Sequence, residues 1–169
     1  MCNKERFLKT VEEVVKDFEQ NSFLEKVKEE KVTLKDYENL LLMIFHQTFE
    51  GPSTFALAGA HCDSRYYVAR DYLLHHADEE KSHWQWVIND LKRIGYKGDD
   101  PRNNLPNPAC QTYIAYNVFT AVKDPLSRLA IAFVLETIGA TFSKKYAQKV
   151  CQLLKLTPNQ TSFFFGHGD

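Results

Sequence analysis

With 169 residues, 44% of them hydrophobic and 25% charged, and a net charge of −1, the chain excludes several classes of protein at once. It is long enough to bury a core, too apolar to be disordered, and too near neutrality to be drawn to nucleic acid or an anionic membrane. The opening Met1-Cys2-Asn3-Lys4-Glu5-Arg6 has no apolar stretch of the secretory-signal kind, and the apolar run 40–45 is much too short for a bilayer. Four cysteines (Cys2, Cys62, Cys110 and Cys151) lack any CxxC spacing, so reduced thiols in the cytosol are expected.

Read in chain order, nearly everything is helical and no alternating strand pattern occurs. Residues 4–20, with Phe7, Leu8, Val11, Val14, Val15 and Phe18, predict an amphipathic helix, and a short one follows over 22–31. Thr33 can cap a third helix through Tyr37, Leu40 and Ile44, which Gly51-Pro52 should kink or divide, because proline lacks the backbone donor and clashes with the preceding turn. His61-Cys62-Asp63 reads as a capping segment. A long helix is predicted over 64–94, stopped by Gly95, and the stretch 95–109 is rich in Pro, Gly and Asn and reads as a loop. Another helix covers about 110–123. Asp124-Pro125 then opens one reaching about Leu154, with a cap followed by proline at the first helical position. Thr157-Pro158-Asn159-Gln160 has the form of a capping box and starts a last helix at Pro158 that carries Phe163, Phe164, Phe165 and His167. The sequence stops at Asp169 without a helix terminator, so the chain is expected to be cut or disordered there. The expected architecture is a single all-α domain, a bundle of about seven helices with several long antiparallel members.

The chemistry is concentrated in His76-Ala77-Asp78-Glu79-Glu80-Lys81-Ser82-His83. The apolar stripe of the predicted 64–94 helix is Leu73, Val87, Leu91 and Ile94. Steps of three and four across its gap land on His76, Glu80 and His83, which places metal-ligand side chains where leucines belong. Buried ionisable groups must be paired or bound to a cation, and a cation satisfies Glu80 and His83 together. Glu136 is the partner expected from the next long helix, a carboxylate amid Leu129, Ala132, Ala140, Ser143 and Ala147, whose small side chains leave room beside it. His167 supplies a further imidazole from the last helix.

Other readings stay open around this core. His76 is equally a metal ligand, a partner of a ligand, or a satisfied core histidine. Glu79 lies one step off the stripe and reads as a neighbour of the site or a surface residue, with a role in place of Glu80 as the alternative. His75 is expected to face solvent. His46 and Glu50, at i,i+4, read as cavity-facing or structural, and Tyr66, Tyr67, Tyr72, Trp84 and Trp86 as packing. Carboxylates with histidines favour iron or manganese used with oxygen over structural zinc or calcium. A plain ferritin-like protein fits poorly, since it would carry a second Glu-x-x-His motif and two further glutamates.

The run His76-x-x-Glu79-Glu80-x-x-His83, followed by Trp84 and by Asn89-Asp90-Leu91-x-x-x-Gly95, resembles the heme-oxygenase-like diiron oxidases, also called iron-containing redox enzymes, over roughly residues 33–169. The resemblance implies a heme-oxygenase-like helical bundle and a ligand set of Glu80, His83, Glu136 and His167, with the remaining Asp and His falling just beyond Asp169. It also implies a third ligand-bearing helix that orders on metal binding. The implied activity is that of a nonheme diiron oxidase or oxygenase, with two irons, O2 as co-substrate and a small organic molecule as substrate. No nucleic-acid or membrane partner is expected, and a homodimer is left open. The alternatives are a cofactor-free, thiaminase-type enzyme on the same fold, with Cys62, Cys110 or Cys151 as nucleophile, and a heme-binding helical protein with His46 or His83 as axial ligand.

Overall fold

The structure, a computed structural model, describes residues 3–166, and among them it is helical with no strand. Eight α-helices follow one another: α1 Asn3–Phe18, α2 Ser22–Lys28, α3 Leu34–His61, α4 Tyr67–Glu80, α5 Trp84–Arg93, α6 Pro108–Lys123, α7 Pro125–Leu154 and α8 Ser162–Gly166. The all-α class and most of the predicted boundaries are therefore present.

Local chemistry explains the boundaries. At the start of α3 the Thr33 hydroxyl accepts from the Asp36 amide at 3.1 Å, and the Asp36 carboxylate accepts from the Thr33 amide at 3.0 Å, so two donors that lack helical partners are satisfied reciprocally. Asn107 caps α6 by accepting from the Cys110 amide at 2.9 Å, with Pro108 at the first helical position. Gly95 ends α5 with φ +84°, a left-handed conformation that glycine adopts freely, and the Tyr96 amide reaches back to the Leu91 carbonyl at 3.0 Å.

Two expectations need correction. Gly51-Pro52 does not divide α3, which runs unbroken from Leu34 to His61 with Pro52 inside it; the Thr54 hydroxyl turns back to donate to the Gly51 carbonyl at 2.8 Å within that stretch. The predicted 64–94 helix is not continuous. It opens with a 3-10 turn at Ser64–Tyr66, and residues 81–83 form a turn between α4 and α5. In that turn the amides of His83, Gln85 and Trp86 bond three residues back, to Glu80, Ser82 and His83, and the Trp84 indole N–H takes the Lys81 carbonyl at 3.2 Å. Tighter i→i+3 bonding suits Ser82, whose side chain favours turns over helix interiors.

The contacts resolve into two compact units. The first joins the two ends of the chain, up to Tyr37 and from Phe133 onward. It buries Val11, Leu24, Val27, Val32, Tyr37, Phe142, Ala147, Val150 and Phe163, with Phe18 and Phe142 at 5.5 Å between ring centroids and Lys149 paired to Glu30 at 2.6 Å. The predicted capping box is here: the Gln160 side chain accepts from the Thr157 amide at 2.9 Å, although it opens a 3-10 turn before α8 and not one continuous helix.

The second unit is Glu38–Ala132. Phe55, Ala58, Leu73, Ala77, Ala121 and Ala132 form a buried cluster, with Leu57 and Leu129 packed against it, so the start of α7 is tied to α3, α4 and α6. Phe45, Phe49 and Trp84 meet edge to face or stacked at 5.3–6.3 Å. By length and composition alone α7 could cross a membrane, a property that core helices share.

Candidate metal centre

α4 presents the site because one of its buried positions, His76, is polar. Leu73, His76 and Ala77 are buried, Glu80 is half-buried, and the next position of the stripe, His83, is half-buried in the 81–83 turn. The i,i+3 relation of Glu80 and His83 survives the end of α4, because the turn is closed by the His83 amide on the Glu80 carbonyl at 3.1 Å. The side chains meet as well: His83 Nδ1 lies 2.7 Å from Glu80 Oε2, and the His83 ring stacks on Trp86 with centroids 4.4 Å apart.

His76 is 7% exposed and is held by aromatic neighbours on two sides, Phe55 edge-on at 4.5 Å and Tyr72 stacked at 5.6 Å. Such packing fixes the imidazole's rotation and leaves its nitrogens directed by the fold. α7 is unbroken, and Glu136 follows one turn after Ala132, the residue that anchors α7 in the apolar cluster. One ligand atom each from His76, Glu80 and Glu136 lies within 4.8 Å of the other two. A neutral imidazole with two carboxylates matches the charge of a divalent cation, and oxygen-rich mixed donors suit iron or manganese better than thiolate-loving metals. The donor set therefore fits the group the motif implies.

Several sequence expectations are altered. Glu136 is exposed, not enclosed by its helix's apolar stripe; Phe133, Leu135 and Ala140 beside it are exposed too, so this stretch of α7 is less covered than its composition suggests. His83 partners the Glu80 carboxylate, while His76, for which three roles were open, is the imidazole in the three-residue group. Glu79 is exposed and lies 3.2 Å from His75 Nε2 and 3.7 Å from His76 Nδ1, and His75 faces solvent as expected. His167 lies outside the described residues.

Of the aromatics expected to pack, Trp84 and Trp86 are half-buried, but Tyr66, Tyr67 and Tyr72 are exposed. His46 is half-buried against Phe45, and burial draws its pKa below the usual histidine range, with Glu50 opposing the shift. Cys62 and Cys110 are buried thiols, and burial pushes the Cys110 thiol up, which leaves little thiolate for a nucleophilic role.

Sequence reasoning missed Arg128 and Asn117, both 2% exposed in the second unit. The signal for Arg128 was available: Arg128, Ala132 and Glu136 are spaced by four on α7 and share a face.

No protein-family model matches the chain, and no curated protein matches it. Among solved structures, it is similar to a domain of unknown function with a heme oxygenase-like fold from Shewanella denitrificans OS217. The likeness has a TM-score of 0.86 at 24% identity, over 100% of this chain and 73% of the other. The chain thus has the heme-oxygenase-like fold that its motif suggested.

Proposed function

We propose that this protein is a nonheme iron enzyme that uses O2 to oxidise a small organic substrate. The observation that carries the reading is the group of His76, Glu80 and Glu136, whose ligand atoms lie within 4.8 Å of one another. His76 would supply the neutral nitrogen and Glu80 and Glu136 the two negative charges that balance a divalent ion. Bound iron would supply the electrons that O2 needs in order to oxidise a substrate at neutral pH.

The chain's own residues would do the rest. The Glu80 carboxylate is held on one oxygen by His83, which orients the other oxygen, the service that outer partners give to metal ligands. Phe55 and Tyr72 hold the His76 ring. Leu73 and Ala77, buried on either side of His76 along α4, keep water from the inner side of the site. Three donors suffice for one ion. A second iron, as in the diiron oxidases that the motif resembles, would draw on His83 and His167. A reducing, cytosolic setting belongs to this proposal, supported by Cys62, Cys110 and Cys151 being free thiols.

Anaerobic titration with Fe(II), followed by measurement of O2 uptake, tests the reading. The wild-type chain should bind Fe(II) stoichiometrically and consume O2. Glu80→Ala should lose both, and His75→Ala should keep both, since its side chain is 71% exposed. No Fe(II) uptake by the folded wild type, or equal uptake by Glu80→Ala, would overturn it.

A further inference from the structure

Arg128 is a charged side chain enclosed in the second unit. It is 2% exposed, its guanidinium carbon sits 3.6 Å from the centroid of the Phe55 ring, and its Nε donates to the Thr54 hydroxyl at 2.9 Å. That hydroxyl already donates to the Gly51 carbonyl, so it meets Arg128 as a neutral acceptor. Arg128 Nη1 is buried and has no hydrogen-bond partner. Burial lowers the pKa to about 10, which leaves the group a cation at neutral pH. Among the described residues, no carboxylate pairs with it.

An enclosed cation carries a large desolvation penalty, and a ring face with one neutral hydrogen bond offsets only part of it. A second buried polar atom in the same unit has no partner. Asn117 on α6 is 2% exposed and donates through Nδ2 to the Tyr113 carbonyl at 3.0 Å, while its Oδ1 is buried without a partner. Tyr113 lies near both, with the Asn117 side chain and the Arg128 charge each drawing the Tyr113 phenol pKa down against the effect of burial. Thr54, Tyr113, Asn117 and Arg128 thus form one polar cluster inside an apolar surround. The same Phe55 ring that faces Arg128 takes the edge of His76 at 4.5 Å, so the cluster is one ring away from the candidate metal ligand.

We infer that Arg128 anchors the carboxylate of a small organic monoanion, with Nη1 donating to it. A single enclosed guanidinium neutralises one negative charge. A carboxylate fits that balance, and a phosphate dianion would leave an excess charge buried. That this carboxylate belongs to the oxidised substrate rests on the iron reading above; the binding itself does not.

Calorimetric titration of the metal-free full chain with hexanoate, hexanamide and hexyl phosphate tests the inference separately from iron. Hexanoate should bind, and hexanamide and hexyl phosphate should bind at least about tenfold more weakly, the effect expected of one charge-assisted hydrogen bond. Arg128→Met should lose that preference, and Arg128→Lys, which keeps the charge, should retain part of it. If Arg128→Met does not fold, the wild-type contrast between hexanoate and hexanamide decides alone. No hexanoate binding, equal binding of hexanoate and hexanamide, or unchanged binding by folded Arg128→Met would overturn the assignment. Hexanoate binding in a chain that takes up no Fe(II) would sink the iron reading and leave this one standing.

Discussion

α4 and α5 follow each other in the chain and fill their inward positions differently. α5 buries Val87, Asp90 and Leu91, with Ile94 just past its last turn, and the buried Asp90 carboxylate lies 3.6 Å from Arg93 within the same helix. α4 carries the same rhythm but places His76 and Glu80 on it beside Leu73 and Ala77. Between them the 81–83 turn, held by the Trp84 indole on the Lys81 carbonyl, presents His83 to Glu80. α5 answers its buried charge with a neighbour three residues on, whereas α4 sets an imidazole and a carboxylate on its inward stripe, the kind of departure from local pattern expected of a functional site.

The largest expected effect lies in α5. Leu91→Ala removes a side chain that is 2% exposed and should lower stability by about 2–5 kcal/mol, read from urea unfolding, without changing Fe(II) stoichiometry in the folded protein. In α4 the pattern should invert. His76→Leu exchanges a buried imidazole for an apolar side chain and should shift stability by less than about 1.5 kcal/mol while removing iron uptake. If His76→Leu unfolds the protein as readily as Leu91→Ala, His76 is core and the contrast between the helices disappears.

The turn joining them gives a smaller effect. Trp84→Phe keeps an aromatic against Phe45 and Phe49 but deletes the bond to the Lys81 carbonyl, so a loss of about 1 kcal/mol is expected. Hydrogen-exchange protection should fall at 83–86 and hold in the middle of α5. Uniform loss through α5 would show that the turn and the helix are one cooperative piece.

His46 gives the smallest. Burial lowers its folded-state pKa below the unfolded value of 6.5, so its stabilising contribution is complete above pH 6.5 and is lost as pH falls through the folded pKa. Urea midpoints should decline from about pH 8 to about pH 5 by a margin that His46→Gln reduces. An unchanged decline in that variant would assign it to other groups.

Much of this arrangement was legible in the sequence. Thr33, Asp124-Pro125 and Gly95 mark helix ends through their own backbone chemistry, and the steps of three and four from Leu73 to Ile94 pick out His76, Glu80 and His83. What was not legible depends on neighbours distant in sequence. Pro52 reads as a breaker until the whole of α3 is seen to continue around it. Glu136 reads as enclosed because α7 is apolar in composition, and exposure of Phe133 and Leu135 is visible only in three dimensions. Arg128 lies near the start of a helix, where a charge reads as solvated, and its burial follows from Thr54 and Phe55 on α3.

A metal ion held by His76, Glu80 and Glu136 is what the proposed function requires. Anomalous scattering at the iron edge from crystals of the protein loaded anaerobically with Fe(II) tests it most directly. A peak is expected within bonding distance of one His76 nitrogen and of oxygens from Glu80 and Glu136. A peak on the exposed pair His75 and Glu79, or none at His76 in fully loaded crystals, would contradict it.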